Sequence, residues 1–216
     1  MPARRGFHEK LQSILSEYSQ TLNDFFFVQV GSHDGVSGDP LHDLIVRFKW
    51  SGILVEPVKY LFGKLRKNYE GQEKLVFENV AISTQDGQRL FYRLCEDAKG
   101  LPPWSSQLGS FFVEVVLKHQ SHISNIRDYL MTEEVECITI NKLIRKHRVR
   151  KMDLLHIDTE GFDFEIIRSL DFSKMRPNMI LYEHKHLTSK DRLACLRFLE
   201  SQGYSNMAGD CDTFAR

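Results

Sequence analysis

The 216-residue sequence has no apolar run near the roughly 20 residues that a helix needs to cross a bilayer. Its opening, MPARRGFHEK, leads straight into polar sequence without the apolar core of a secretory signal, so a cytoplasmic chain is the expectation. Cysteine is scarce: Cys95, Cys137, Cys195 and Cys211 form no C-x-x-C pair and no metal-finger spacing, which points to a reduced protein without a disulfide framework. An excess of one charge is also missing, since 29 Lys plus Arg balance 29 Asp plus Glu. With no net field to attract them, neither nucleic acid nor a membrane surface is expected as a partner. Internal repeats and low-complexity tracts are lacking too. The length suits one α/β domain, read here as residues 25–216, behind an N-terminal amphipathic helix in residues 1–24.

What is present centres on residues 25–40, FFFVQVGSHDGVSGDP. Apolar residues Phe25 to Val30 run into Gly31, Ser32, His33, Asp34 and Gly35, as a buried parallel strand empties into a ligand-binding turn. Gly31 and Gly35 permit backbone conformations or approaches that a Cβ would block, and Asp34 can accept hydrogen bonds from a cationic or hydroxylated ligand. Pro40, Leu41, Leu44, Ile45 and Phe48 then predict an amphipathic helix. A second unit, Gly52 to Val55, ends in Glu56 and Pro57, with Glu56 at the distance from which a carboxylate reaches ribose hydroxyls held over the first turn. The glycine spacing is not the dinucleotide fingerprint G-x-G-x-x-G. An acid inside the loop would repel a pyrophosphate, so a ligand with a positive or neutral centre is favoured.

Phe7, Leu11, Ile14, Leu15, Tyr18 and Leu22 fall at helical spacing, predicting a helix that lies against a sheet or covers the site. A second helix is expected over about Val58 to Tyr69, and Leu75 to Phe77 reads as a third strand with Asn79 at its end. The turn Gln85 to Gln88 leads into an alternating run, Arg89 to Leu94, that predicts a small extra hairpin or edge strand. Residues 95–109 are irregular and carry Trp104, a candidate substrate platform. Val135 to Ile140 suggests a strand, with Asn141 as a helix cap, and the basic cluster Arg145 to Lys151 reads as a solvated turn.

The second site-bearing stretch runs from Met152 to Asp163: an apolar strand stops at Asp158 and Glu160, which would point to the same side of an extended segment. Met179 to Tyr182 is another buried strand, ending in Glu183, His184 and His186. Charged groups at the carboxyl ends of neighbouring parallel strands make the crevice in which doubly wound folds bind ligands. A helix over about Ser189 to Gln202, with Leu193, Leu196 and Leu199 inward, and a terminal hairpin complete the chain.

In this order, VQVGSHDG, ILVEP, NVAIS with its following DG turn, LLHIDTEGFDFEII and ILYEH resemble the FkbM family of class I S-adenosylmethionine-dependent methyltransferases over roughly Phe26 to His186. The resemblance implies a Rossmann-like α/β fold: a seven-stranded, mostly parallel sheet with helices on both faces and an antiparallel C-terminal hairpin. It implies methyl transfer to oxygen on a sugar or small natural product, with S-adenosylmethionine as cofactor and a small molecule or glycan as acceptor. Gly31, His33, Asp34 and Gly35, with Ser32 in the same turn, would line the methionine end; Glu56, beside Pro57, would take the ribose; Asn79, Val80 and Ala81 would lie near the adenine. The chain departs from the common family wording at His156, Thr159 and Phe162.

Candidates for removing the acceptor proton are Asp158, Glu160, Glu183, His184 and His186, with Asp158 also a candidate for holding the cofactor amine. Some other class I O-methyltransferases hold a divalent cation where Asp158 and Glu183 end adjacent strands; carboxylates there would suit Mg²⁺ or Mn²⁺, and histidine a softer ion. No metal ligand set is assigned from the sequence. Two rival readings stand beside methyl transfer: a nicotinamide-dependent oxidoreductase, against which the missing fingerprint argues, and a non-catalytic module that keeps the fold.

Overall fold

Residues in the central strands alternate between two apolar faces, and that alternation builds the layers of the protein. In the computed structural model, which describes residues 2–96 and 100–216, strand β1 (Phe26–Val30) sends Val28 and Val30 to one face and Phe27 to the other. The same period of two recurs in β8 (Leu154–Ile157) and β9 (Met179–Glu183): Leu155, Ile157, Ile180 and Tyr182 join the first face, Leu154, Met179 and Leu181 the second.

The element order is α1 (Pro2–Gln20), β1, α2 (His42–Phe48), β2 (Ser51–Val55), α3 (Lys59–Asn68), β3 (Leu75–Glu78), β4 (Ala81–Ser83), β5 (Gly87–Leu94), β6 (Gly109–Ser110), α4 (Val113–Leu117), β7 (Leu130–Thr139), α5 (Ile140–Lys146), β8, α6 (Asp163–Ser169), β9, α7 (Ser189–Ser201), β10 (Asn206–Ala208) and β11 (Asp212–Ala215). A seven-stranded sheet has the order β10-β11-β9-β8-β1-β2-β3. β3, β2, β1, β8 and β9 pair in parallel, while β11 runs antiparallel to both β9 and β10. This is the expected mostly parallel sheet with its terminal hairpin. Helices α1 and α2 pack on the second face, α5, α6 and α7 on the first.

The order reverses at β1, which lies between β2 and β8, so the helices that follow β1 and β8 leave towards opposite faces. That switch point opens a crevice at the carboxyl ends of the strands. Helix α1 seats Leu11 and Leu15, both fully buried, in the second core, which contributes about 3–6 kcal/mol at the usual value per buried leucine. Its Gln12 amide donates to the Pro40 carbonyl, so the helix lies over the segment that follows the glycine turn.

Several local expectations are corrected. The run Arg89 to Leu94 is neither a small hairpin nor an edge strand: β5 lies between β7, with which it pairs along its length, and β6, in a separate four-stranded sheet of order β4-β7-β5-β6. The partner strand was legible only from Val135 onward because its first half, Leu130 to Glu134, is largely polar and exposed. Asn141 does not cap α5. Thr139 does, accepting from the Lys142 N–H, while Asn141 ties Ser169 and Asp171 together. Leu193 is 48% exposed, and Cys195 and Leu199 form the buried face of α7. Part of the irregular loop, residues 97–99, lies outside the described residues.

Gly63 is a glycine with no structural claim on its place. Gly63 lies exposed in the middle of α3, where an added Cβ would meet nothing within 4 Å. Gly63→Ala is therefore expected to raise stability by about 0.5–1 kcal/mol, the usual helix-interior difference, as a higher urea midpoint with unchanged slope.

Candidate functional site

The crevice is a cavity of about 440 Å³, within the range of small-molecule and cofactor sites. One wall is the turn after β1. Gly31 has φ +81°, and an added Cβ would lie 1.8 Å from the Asp158 carbonyl oxygen; Gly35 has φ +74°, and its Cβ would strike the Tyr69 ring at 2.5 Å. These glycines let the turn fold flat against the neighbouring strand end and α3. Of the first turn, Gly31, Ser32 and His33 line the cavity.

Asp34 and Gly35 do not line it. The Asp34 carboxylate accepts from the Val36 and Ser37 N–H groups and from Ser37 Oγ, which closes the turn on itself. Partial burial pulls its pKa upward, but these hydrogen bonds outweigh that and hold it at about 2. The acid that faces the cavity from this segment is Asp39, which the sequence reading missed. Its Oδ1 accepts from the Leu41 N–H and its Oδ2 from Gln29 Nε2 at 3.2 Å, and desolvation pushes it up to about 6. Gln29 also lines the cavity; it is 2% exposed, and its Oε1 is buried without a hydrogen-bond partner. The available signal was a glutamine inside an otherwise apolar central strand, FFFVQV. A buried amide needs a partner, and Gln29 finds only half of its partners within the protein.

Glu56, at the end of β2, is 5% exposed and forms the next wall. Its two oxygens accept from the His33 and Val58 N–H groups, each at 2.9 Å, so one carboxylate joins the β1 and β2 turns. Burial dominates these bonds and pushes Glu56 up to about 8. Pro57, Val80 and Ala81 line the cavity beside it. Asn79 stands outside the lining and donates to the Glu56 and Pro57 carbonyls, holding the β2 turn to the end of β3.

The opposite wall comes from β8 and β9. Asp158, Glu160 and Glu183 all line the cavity, as does His156. Burial raises Asp158 well above the usual carboxylate range, with Glu160 and Asp163 adding to the effect; burial with the Asp158 and Glu160 charges pushes Glu183 up to about 11. His156 is buried without a partner for Nδ1, and burial lowers it to about 4, leaving a neutral imidazole at pH 7. The turn after β8 is held by Asp163, which accepts from Thr159 Oγ1 and the Gly161 N–H, and by Ser110 Oγ, which donates to the Glu160 carbonyl. Glu160 has φ +50°, an unusual conformation for a residue with a Cβ and one that clusters at functional sites.

His184 and His186 are outside the lining. His184 Nδ1 lies 2.8 Å from Thr213 Oγ1, directed at β11, and His186 lies behind Glu160 and Glu183. Trp104 packs its ring against His119 and His122 instead of facing the cavity. The following residues Ser106 to Gly109 are the part of the irregular loop that lines it. Ser106 Oγ is 3.2 Å from His33 Nε2, and Gln107 donates to the Ser37 carbonyl, so this loop closes over the glycine turn.

A family model described as Methyltransferase FkbM domain matches residues 29–205. Among solved structures, the chain is similar to the methyltransferase FkbM of Methylobacillus flagellatus, with 12% identity and a TM-score of 0.54 over 89% of this chain and 44% of that one. It thus spans under half the length of that protein. It is also similar to the MTase domain of METTL16 (10% identity, TM-score 0.51, 99% of this chain and 67% of that one). The human METTL16 N-terminal domain in complex with SAH gives a TM-score of 0.50 at 10% identity, over 100% of this chain and 70% of that one. At such identities the likeness speaks for the fold. No curated protein sequence matches the chain.

Proposed function

The chain belongs to the FkbM methyltransferase family, and on that footing we propose that it methylates a hydroxyl oxygen on a sugar or small natural product, using S-adenosylmethionine. The observation that supports this reading best is the lining of the cavity: Asp39, Glu56, Asp158, Glu160 and Glu183 gather in one enclosure. Isolated buried carboxylates are costly, and a cationic ligand offsets that cost. The turn after β1 lacks the G-x-G-x-x-G spacing that cradles a dinucleotide pyrophosphate, which disfavours the oxidoreductase reading.

The residues fit the cofactor. Gln29 Oε1, buried and unpartnered, would accept from the ammonium beside Asp39, and Glu56 would accept from the ribose hydroxyls. Val80 and Ala81 give an apolar surface for the adenine. The bound cofactor supplies an electrophilic methyl on a sulfonium centre. The protein's part is to hold the acceptor oxygen in line and take its proton, and Asp158, a carboxylate in the cavity lining at the end of β8, is placed for that transfer. Asp158, Glu160 and Glu183 are the proton-acceptor candidates that line the cavity, so His184 is not needed for it.

Calorimetry with S-adenosylhomocysteine and S-adenosylmethionine tests the reading. Both are expected to bind at one site per chain. S-adenosylmethionine should also release protons, seen as an enthalpy that varies with the ionisation enthalpy of the buffer, because its sulfonium favours the ionised acids. Absence of binding by the folded protein would reject the proposal. A gain of one methylene mass in an extract supplied with protein and cofactor would identify the acceptor.

A further inference from the structure

Glu160, Glu183 and His186 each present one ligand atom, and these three atoms lie within 4.8 Å of one another. His186 Nε2 is 2.9 Å from Glu160 Oε2 and 3.9 Å from Glu183 Oε2. None of the three atoms has a hydrogen-bond partner: the 2.9 Å approach lacks hydrogen-bond alignment, although the His186 side chain is only 5% exposed and that of Glu183 only 10%. A buried imidazole nitrogen and two carboxylate oxygens meet here at ion-pair separations, with no hydrogen bond made by any of the three.

We propose that Glu160, Glu183 and His186 bind one divalent first-row metal ion, best matched by Mn²⁺, at the edge of the cavity. Adjacent ligand atoms on an octahedral ion with bonds of about 2.1 Å stand about 3 Å apart, so the observed separations need only small side-chain adjustments. Two carboxylates favour a hard ion, and the imidazole favours manganese over magnesium or calcium.

The ligands are already held. Glu160 is fixed by its left-handed backbone and by Ser110, and Glu183 ends β9. The turn that presents His186 is anchored where the His184 and Lys185 N–H groups donate to the Cys211 carbonyl. The His186 ring packs against that of His119, with centroids 5.8 Å apart. Asp158 lines the cavity beside Glu160 and Glu183, and a dication would balance the carboxylates gathered at these two strand ends. Because Glu160 and Glu183 also line the cavity, the ion would be open to ligands on that side. Only its role rests on the methyl-transfer reading: there it would polarise the acceptor hydroxyl.

The test uses the full chain, stripped with a chelator and titrated with MnCl₂ while the free-ion electron paramagnetic resonance signal is followed. One Mn²⁺ per chain is expected. Glu183→Gln and His186→Gln should each weaken binding by about tenfold or more, since even outer-shell losses cost about that much, whereas Glu73→Gln, on the exposed surface, should leave it unchanged. Circular dichroism establishes that each variant is folded; if one is not, Glu160→Gln takes its place. A folded wild type that binds no stoichiometric Mn²⁺, or ligand variants that bind as the wild type does, would overturn the site and leave a shared proton as what joins the three groups. S-adenosylhomocysteine binding is measured separately, so failure of the metal site and failure of the methyltransferase reading give different results.

Discussion

Gly31→Ala is expected to cost about 4 kcal/mol of folding stability and to remove S-adenosylhomocysteine binding. At φ +81° an alanine is strained, and its Cβ would lie 1.8 Å from the Asp158 carbonyl oxygen and 2.8 Å from the carbonyl carbon. Left-handed strain and overpacking each cost about 1–3 kcal/mol, which together give the expected figure. The clash cannot be relieved by a side-chain rotation, because the opposing atoms are backbone. The Asp158 N–H donates to the Val30 carbonyl at 2.9 Å, which locks β8 to β1 immediately before the turn. Relief means parting the two strands at the switch point, where the cavity opens. Urea unfolding and calorimetry on the same preparation check both effects. A loss below about 1 kcal/mol with binding intact would mean that the turn relaxes freely.

Glu56→Gln is expected to weaken S-adenosylhomocysteine about a hundredfold at pH 8, on the proposed reading that this carboxylate accepts from both ribose hydroxyls. A hydrogen bond to a charged group contributes about 1.5–3 kcal/mol, and the amide offers one uncharged acceptor and a donor where two acceptors stood. The same group sets a pH dependence. Burial pushes Glu56 up to about 8, from the ordinary glutamate value of 4.5. The folded state therefore holds a proton that the unfolded state has already lost, so this contribution to stability is fully present below about 4.5 and is lost as pH rises through 8.

Between pH 6.5 and 8 the ligand-free protein should lose about 2 kcal/mol from this residue, at about 1.4 kcal/mol per pH unit. Over the same interval the ionised fraction grows, and affinity should rise about tenfold. In Glu56→Gln the affinity rise should disappear and the stability slope should become shallower. Urea midpoints and calorimetry at the two pH values decide it; a variant with the wild-type pH slope would show that another buried acid is responsible.

Parts of the site were readable because their signals are local. Gly31, Glu56 and Asp158 each close a short apolar run, and in a parallel sheet the carboxyl ends of adjacent strands share one edge. Identifying the runs was therefore enough to bring the three residues together. Asp34 and Asp39 show where local reading stops. Both are acids in the same glycine-rich segment, and no spacing rule separates them. Hydrogen bonds from Val36 and Ser37 turn one back on its own loop, while the other reaches Gln29 across the strand.

The second sheet was hidden for a related reason. β5 and β7 pair across a separation of some forty residues, and the polar half of β7 carries no apolar alternation to announce it. Likewise, in the sequence His184 and His186 stand as equal candidates after one strand. Only the turn anchored on the Cys211 carbonyl carries the His186 ring to Glu160 and Glu183.

By itself, the order of residues determined the layered α/β architecture and the edge at which the cavity opens, because apolar period and glycine placement act over a few residues. Tertiary structure alone decided which acids face the cavity, which are spent on turns, and which histidine meets two carboxylates. Those outcomes depend on burial and on hydrogen bonds between segments far apart in the chain, and neither is encoded in the spacing of neighbours.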